Sequence, residues 1–303
     1  MSTKHSIEGV SVIVPTYNRL SSLKRCIESI LKQQFVLFEI IVVNDGSTDG
    51  TLEYLHSLNF PNLRVLNLVT NSGVCTARNT GISAALLPIL VFTDDDCVAM
   101  DDWLWYLVSP FSELSCGLVI GQTWYYSEDH RPRFPERVVH NHNAAWPMTC
   151  NMAYRKEVFE QLGGFSHKYS NYHNEDTEMA IRAVAGGWGC LRALEAQVSH
   201  QHSLWTNKLL LSSAKNPCAA ILLKRDYPNY HEYFGKQLVA QHFLRPEDYF
   251  VIISIIMAMH LLILICVGFG RKGLLFFNYW FIRHILRRIF VYQTAWECRL
   301  VVI

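Results

Sequence analysis

The chain has 303 residues, with 27 Lys and Arg against 26 Asp and Glu and a formal charge of +1. That near-neutral balance excludes a general polyanion binder, and with it nucleic acid as a partner. Half of the residues are hydrophobic, which points to a membrane-facing part beside one large core. The opening MSTKHSIEG is polar and lacks the apolar run of a signal peptide, so the chain is expected on the cytoplasmic side. Nine cysteines without a C-x-x-C pair read as reduced, mostly buried thiols.

In chain order, Val10 to Val14 is a predicted strand stopped by Pro15, and Leu20, Leu23, Ile27, Ile30 and Leu31 then recur at helical spacing. Glu39 to Val43 is a second strand, ending at Asn44-Asp45-Gly46-Ser47, with Leu52, Leu55 and Leu58 marking a helix behind it. Leu63 to Val69 is a third strand, Val74 to Leu86 a helix, Ile89 to Thr93 a fourth strand and Gly117 to Gln122 a fifth. Thr123 to Met148 is rich in aromatics, His and Pro and has no clear period. A helix is predicted from Glu175 to Ala185, closed by Gly186-Gly187.

Strands alternating with helices imply an α/β fold: a Rossmann-like, mostly parallel sheet with helices on both faces. In such sheets ligands bind beyond the carboxyl ends of the strands. Those ends carry Thr16-Tyr17-Asn18, Asn44-Asp45, Thr70-Asn71 and Asp94-Asp95-Asp96, which together resemble the rim of a cleft.

The C-terminal part differs. Phe250 to Phe269 is 20 residues without a formal charge, about 30 Å as a helix and long enough to cross a bilayer, or else a buried core helix. The tail from Arg271 carries six Lys or Arg and one acid, which the positive-inside rule keeps cytoplasmic. A hairpin with Leu274 to Ile282, or a helix lying in the interface, satisfies both flanks better than a single span. The expected division is an α/β domain over 1–210, a helical extension over 211–245 and a membrane-associated segment over 246–303.

Three acids in VFTDDDC (91–97) follow the fourth strand. In an extended chain Asp94 and Asp96 point to one side and Asp95 to the other. Two converging carboxylates are costly unless a cation sits between them. Oxygen ligands favour Mg²⁺ or Mn²⁺, and Mg²⁺ binds through few carboxylates plus substrate phosphates. The alternative is a solvated turn with an acid capping a helix near Asp101. Asp45 is either a turn and cap residue or an acceptor for a base or ribose. Arg78 is either a surface cation or a nucleotide partner.

The ordered blocks PTYNR (15–19), NDGSTDGT (44–51), NSGVCTARNTGI (71–82), FTDDD (92–96), NMAYRKEVFEQLGGF (151–165) and NED (174–176) resemble the family 2 glycosyltransferases. The resemblance implies the GT-A fold and inverting transfer of a sugar from a nucleotide diphosphate. It places Thr16 and Tyr17 along the nucleobase, Asp45 on the base, Arg78 on the nucleotide, and Asp94 on the ribose. Asp95 stands in the nucleotide-facing set with a part in local structure. Asp96 would hold Mn²⁺ or Mg²⁺ on the diphosphate, with His200 touching the metal. Asp176 would be the general base, and Glu175 and Trp124 would face the acceptor. Asn44 and Cys97 stand where many members carry an acid.

An inverting transfer is one in-line displacement, so it needs one base and charge neutralisation at the leaving diphosphate. It does not need the second carboxylic acid of glycosidases. Asp176 in a helix's first turn suits that base, although acids also favour helix N-termini for structural reasons. The expected partners are a UDP-linked donor, a glycan or lipid-linked acceptor, and the cytoplasmic membrane face. A sugar nucleotidyltransferase would need a glycine-rich basic loop where PTYNRLSS stands. An inactive membrane-associated binding module of the same fold would not need both Asp96 and Asp176, and no G-x-G-x-x-G follows the first strand to suggest an oxidoreductase.

Overall fold

The computed structural model describes residues 9–35, 37–124, 136–137, 139–201, 203–216, 218–229, 281–291 and 293–294. These fall into two units, one of residues up to 124, 139–170 and 175–201, the other of 136–137, 171–174 and those from 203 onward.

The first unit begins with β1 (Val10–Thr16), α1 (Leu20–Leu31), β2 (Phe38–Asp45), α2 (Thr51–Ser57), β3 (Leu63–Leu68), α3 (Val74–Ala84) and β4 (Ile89–Phe92). This is the predicted alternation, with boundaries shifted by a residue or two where helix ends fray and strands run on into their loops. β5 (Cys97–Ala99), α4 (Trp103–Val108) and β6 (Cys116–Trp124) come next. Past the short β7 (Glu136–Arg137), which belongs to the second unit, β8 (Met152–Arg155), α5 (Lys156–Leu162), α6 (His167–Ser170), α7 (Glu175–Ala185) and β9 (Gly189–His200) complete it.

One sheet carries the unit, in the order β3-β2-β1-β4-β8-β6-β9-β5. From β3 to β4 every pair is parallel. Beyond β4 the sheet is mixed, which corrects the expectation of a mostly parallel one. β8 is antiparallel to both β4 and β6, β6 and β9 are parallel, and β5 is antiparallel to β9. A parallel neighbour requires a crossover, usually a helix. The helical period that signals one is missing from Thr123 to Met148, and β8 enters the other way round.

β1 and β4 are buried along their whole length, as continuous apolar runs require in a sheet covered on both faces. Val10, Val12 and Val14 pack with Leu23, Ile27 and Ile30 of α1. The ring of Phe92 meets those of Tyr154, Phe159 and Phe165 at 5.3–6.0 Å between centroids. α3 lies so close to β1 that a Cβ at Gly81 would stand 2.5 Å from Ile13 Cγ2. That glycine lets the helix approach the sheet and bring Arg78, one turn earlier, under the strand ends.

Asn151, fully buried just before β8, ties the second half of the sheet together. Its Nδ2 donates to the carbonyls of Gln122 and Ala196, each at 2.8 Å, and its Oδ1 accepts from Trp103 Nε1 at 2.8 Å. The seven described cysteines are free thiols, six of them buried, as the absence of paired spacing implied.

In the second unit β10 (Ser203–Leu204) pairs with β7, followed by α8 (Asn207–Lys215), α9 (Cys218–Asp226) and a helix over 281–291. Thr206 caps α8 by accepting from Leu209 N at 3.2 Å. Cys218 and Ile221 pack with Val291, Tyr172 and Phe290. α8 runs across residues 210 and 211, where the sequence placed a boundary. Among the described residues no helix is long and apolar enough to cross a membrane. The expected C-terminal hydrophobic helix therefore has no counterpart among the described helices; Phe250–Phe269 and most of Leu274–Ile282 lie outside the described residues.

Asn151→Ala leaves one buried indole N–H and two buried carbonyls unpaired, each worth about 1–3 kcal/mol. The expected outcome is a loss of about 3 kcal/mol or more in unfolding free energy by urea titration, with an unchanged m-value.

Candidate active site

Because β1, β2 and β4 are parallel and in register, with Thr16 opposite Asn44 and Ile13 opposite Phe92, their carboxyl ends open onto one edge. The loops there are laced together by polar side chains. Asn18 Oδ1 accepts from Thr48 N at 2.7 Å, and Asn18 N donates to Ser47 Oγ at 2.9 Å. Asp49 accepts from Leu20 N at 3.0 Å. Asp45 is buried, and its two oxygens accept from Ser72 N at 2.7 Å and Gly73 N at 2.9 Å. It thus fixes the loop leading into α3. Gly46 makes the turn after it with φ +72, where a Cβ would meet the Thr70 backbone at 2.7 Å.

The acidic trio does not continue as an extended strand. Cys97 N donates to the Asp94 carbonyl at 3.1 Å, closing a turn over Asp95 and Asp96. The division expected from strand alternation is corrected accordingly. Asp95 and Asp96 share one cation, Arg19, whose Nη1 lies 3.0 Å from Asp95 Oδ1 and 2.6 Å from Asp96 Oδ2. Asp94 faces elsewhere, onto Arg78 Nη2 at 3.0 Å. Thr16, buried, donates its hydroxyl to Asp95 Oδ2 at 2.8 Å, whereas Tyr17 is exposed at the rim. Burial pushes the Asp95 carboxyl up to about 6, against the pull of Arg19.

Arg19 was missed as a site residue. Its signal was present: a basic residue three positions past the end of the first strand, facing an acidic trio that repels itself.

Arg78 is the buried centre of the site. Its guanidinium donates to Asp94 at the end of β4 and to Glu175 Oε1, 2.8 Å away at the start of α7. Burial alone would weaken its charge, yet Asp94, Glu175 and Asp176 hold it above its usual range. The sequence left Arg78 open between surface cation and ligand partner; it is neither exposed nor unpaired. Glu175 Oε2 is buried with no hydrogen-bond partner among the described residues.

Asp176 follows in the first turn of α7, with Oδ1 accepting from Thr177 N at 2.8 Å. Loss of water pushes its carboxyl up to about 7, and the neighbouring Glu175 adds to the rise; Arg78 and the backbone N–H groups of Thr177 and Thr149 oppose it. A carboxylate poised there can take a proton near neutral pH.

Asp96 and His200 face each other at the opposite side of the turn. His200 Nε2 is 3.4 Å from Asp96 Oδ1, which is buried and has no hydrogen-bond partner among the described residues. His200 Nδ1 is 2.9 Å from the Gln201 carbonyl, an atom that only accepts. That contact assigns the ring hydrogen to Nδ1 and leaves Nε2 of a neutral imidazole presenting a lone pair to the carboxylate. Two lone pairs at that separation fit a divalent cation between them. Trp124, at the end of β6, is partly buried with Nε1 unpartnered among the described residues and meets the His142 ring edge-on at 4.7 Å.

This is an α/β architecture whose strand ends carry an acidic edge. Residues 11–179 match the family described as Glycosyl transferase family 2, and the chain belongs to that family. It is 30% identical over 195 residues to the glycosyltransferase AglE of Haloferax volcanii, covering 59% of this chain and 62% of that one. The chain spans 24% and 62% of the length of the first two curated relatives it matches. Its fold resembles the mannosyltransferase PcManGT from Pyrobaculum calidifontis in complex with GDP-Man and Mn²⁺, with TM-score 0.67, 18% identity and coverage of 97% and 89%. It also resembles S. aureus TarS 1-349 in complex with UDP, with TM-score 0.53, 22% identity and coverage of 71% and 65%.

Arg78→Met strands two carboxylates around a buried site and is expected to lower unfolding free energy by about 3–5 kcal/mol. Adding Glu175→Gln recovers part of that loss, which a double-mutant cycle in urea measures as a coupling energy.

Proposed function

We propose that the chain is a metal-dependent inverting glycosyltransferase moving a sugar from a nucleotide-diphosphate donor, UDP-linked, to a hydroxyl of a glycan or lipid-linked acceptor. The observation that carries the reading is the Arg78 bridge. It joins Asp94, at the strand end where a nucleotide belongs, to Glu175, whose neighbour Asp176 has a carboxyl raised to about 7. The neighbours solved with GDP-Man and Mn²⁺ and with UDP support a nucleotide-diphosphate donor and a divalent cation.

In this reading Tyr17 borders the nucleobase, Asp45 shapes the base side through the Ser72–Gly73 loop, and Thr16 with Asp95 forms the floor beneath. Arg78 holds Asp94 in place for the ribose. Asp176 accepts the proton of the acceptor hydroxyl as its oxygen bonds to the anomeric carbon, and the diphosphate leaves with the bonding pair. Asp96 and His200 would hold a divalent cation, which would supply positive charge against the leaving diphosphate. No protein acid is needed there, because the leaving group departs as a stable anion. Glu175 and Trp124 face the acceptor, Trp124 offering a ring against which a sugar packs. The charge-free run Phe250–Phe269 supports a place at the cytoplasmic membrane face.

Asp176→Asn is expected to lower the transfer rate by about 10²–10⁴-fold, the scale of a lost general base. The donor's dissociation constant should stay essentially unchanged; a parallel loss of donor binding would sink the base assignment. The wild-type kcat/KM rises with pH on a limb near 7, because Asp176 accepts a proton only once ionised, and that limb disappears in the variant. If no nucleotide diphosphate raises the melting temperature in the presence of Mn²⁺, the enzymatic reading fails.

A further inference from the structure

We propose that Cys97 Sγ is a third protein ligand of the cation seat at Asp96 and His200, and that the seat takes a thiophilic divalent ion, Zn²⁺ or Co²⁺, without any nucleotide bound. The proposal rests on reading Asp96 and His200 as cation ligands. Asp96, Cys97 and His200 form the one group of metal-ligating side chains among the described residues, with one ligand atom from each lying within 4.8 Å of the others.

The fold puts the sulfur there for a definite reason. β5 and β9 are antiparallel with Cys97 directly opposite His200, so the two side chains leave the same face of the sheet. Asp96 immediately precedes Cys97, and the turn closed by the Cys97 N–H to the Asp94 carbonyl folds its carboxylate back over that pair. Cys97 and His200 are buried, and Asp96 Oδ1 is a buried oxygen with no hydrogen-bond partner among the described residues. Partial removal from water of this kind strengthens electrostatic attraction to a cation.

Charge decides what the seat accepts alone. A carboxylate and a neutral imidazole leave a net positive charge on a divalent ion, which a nucleotide diphosphate then offsets. A carboxylate, an imidazole and a thiolate cancel it. On binding, the S–H bond breaks, its proton passes to solvent and the sulfur electron pair forms the bond to the ion. Sulfur ligands favour Zn²⁺ and Co²⁺ over Mn²⁺ and Mg²⁺, so Cys97 changes which ion is retained before the donor arrives.

The test is a titration of the purified protein with Co²⁺, without nucleotide, followed by absorbance. The expected result is a sulfur-to-cobalt charge-transfer band in the near ultraviolet that saturates at one equivalent, together with visible ligand-field bands. In Cys97→Ser the charge-transfer band is lost and Zn²⁺ affinity, by competition, falls about 10-fold or more, a loss that even outer-shell changes reach. Mn²⁺ binding measured with UDP present is expected to survive in the same variant. Cobalt binding without the charge-transfer band in the wild type overturns the ligand role of Cys97 while leaving the Asp96–His200 reading intact. Cys150 lies beside Cys97, thiol to thiol, and a band that persists in Cys97→Ser and vanishes in Cys150→Ser overturns it too, by placing the sulfur ligand there. If neither Co²⁺ nor, with UDP, Mn²⁺ binding responds to His200→Ala, the seat itself fails and the proposed metal dependence falls with it. The wild-type spectrum does not depend on any variant folding.

Discussion

A buried guanidinium that must have two carboxylates is the constraint around which the first unit is organised. Arg78 comes from α3, Asp94 from the end of β4 and Glu175 from the first turn of α7. Burying a charge is costly unless it is paired, so these three elements hold one another at fixed distance. The pairing also sets the electrostatics beside it. Glu175 is used up by Arg78 on one oxygen, and the adjacent Asp176 is left in a water-poor place beside a second acid, which is why its carboxyl rises to about 7. Burial and the neighbouring acid thus create a group able to accept a proton, against the pull of Arg78.

The other side of the acidic turn follows a different logic. Arg19 neutralises Asp95 and one oxygen of Asp96, while the second Asp96 oxygen faces His200. The turn therefore separates its acids into two electrical environments, one dominated by Arg78 and one by Arg19 and His200. Parallel strands open both onto the same edge of the sheet, and backbone-directed bonds from Asp45, Asn18 and Asp49 fix the surrounding loops.

Stiffness in the far half of the sheet comes from Asn151 rather than from charge. It links the carbonyls of Gln122 and Ala196 and the indole of Trp103, and so holds β6 and β9 together near the register shift between Gly121 and Gln122. β9 ends at His200 and β6 at Trp124. The same asparagine therefore positions an expected cation ligand and an expected acceptor contact without touching either. In the sequence it stood at the head of the NMAYRKEVFEQLGGF block with no sign of what it did.

The sequence by itself determined the strand–helix alternation as far as β4, since continuous apolar runs and helical spacing depend only on neighbours along the chain. It also determined which loops carry polar groups, because parallel strands put their carboxyl ends on one edge, and it carried the ordered blocks that mark the family. Tertiary structure alone decided the rest. The mixed half of the sheet depends on pairings between residues far apart, for which the stretch from Thr123 to Met148 has no periodic signal. The partition of Asp94, Asp95 and Asp96 depends on a turn and on cations contributed by α3 and by the loop before α1. The meeting of Cys97 with His200 depends on a strand register between residues about a third of the chain apart. Each of these is a contact between distant residues, and local sequence pattern holds no record of which distant groups a fold brings within bonding distance.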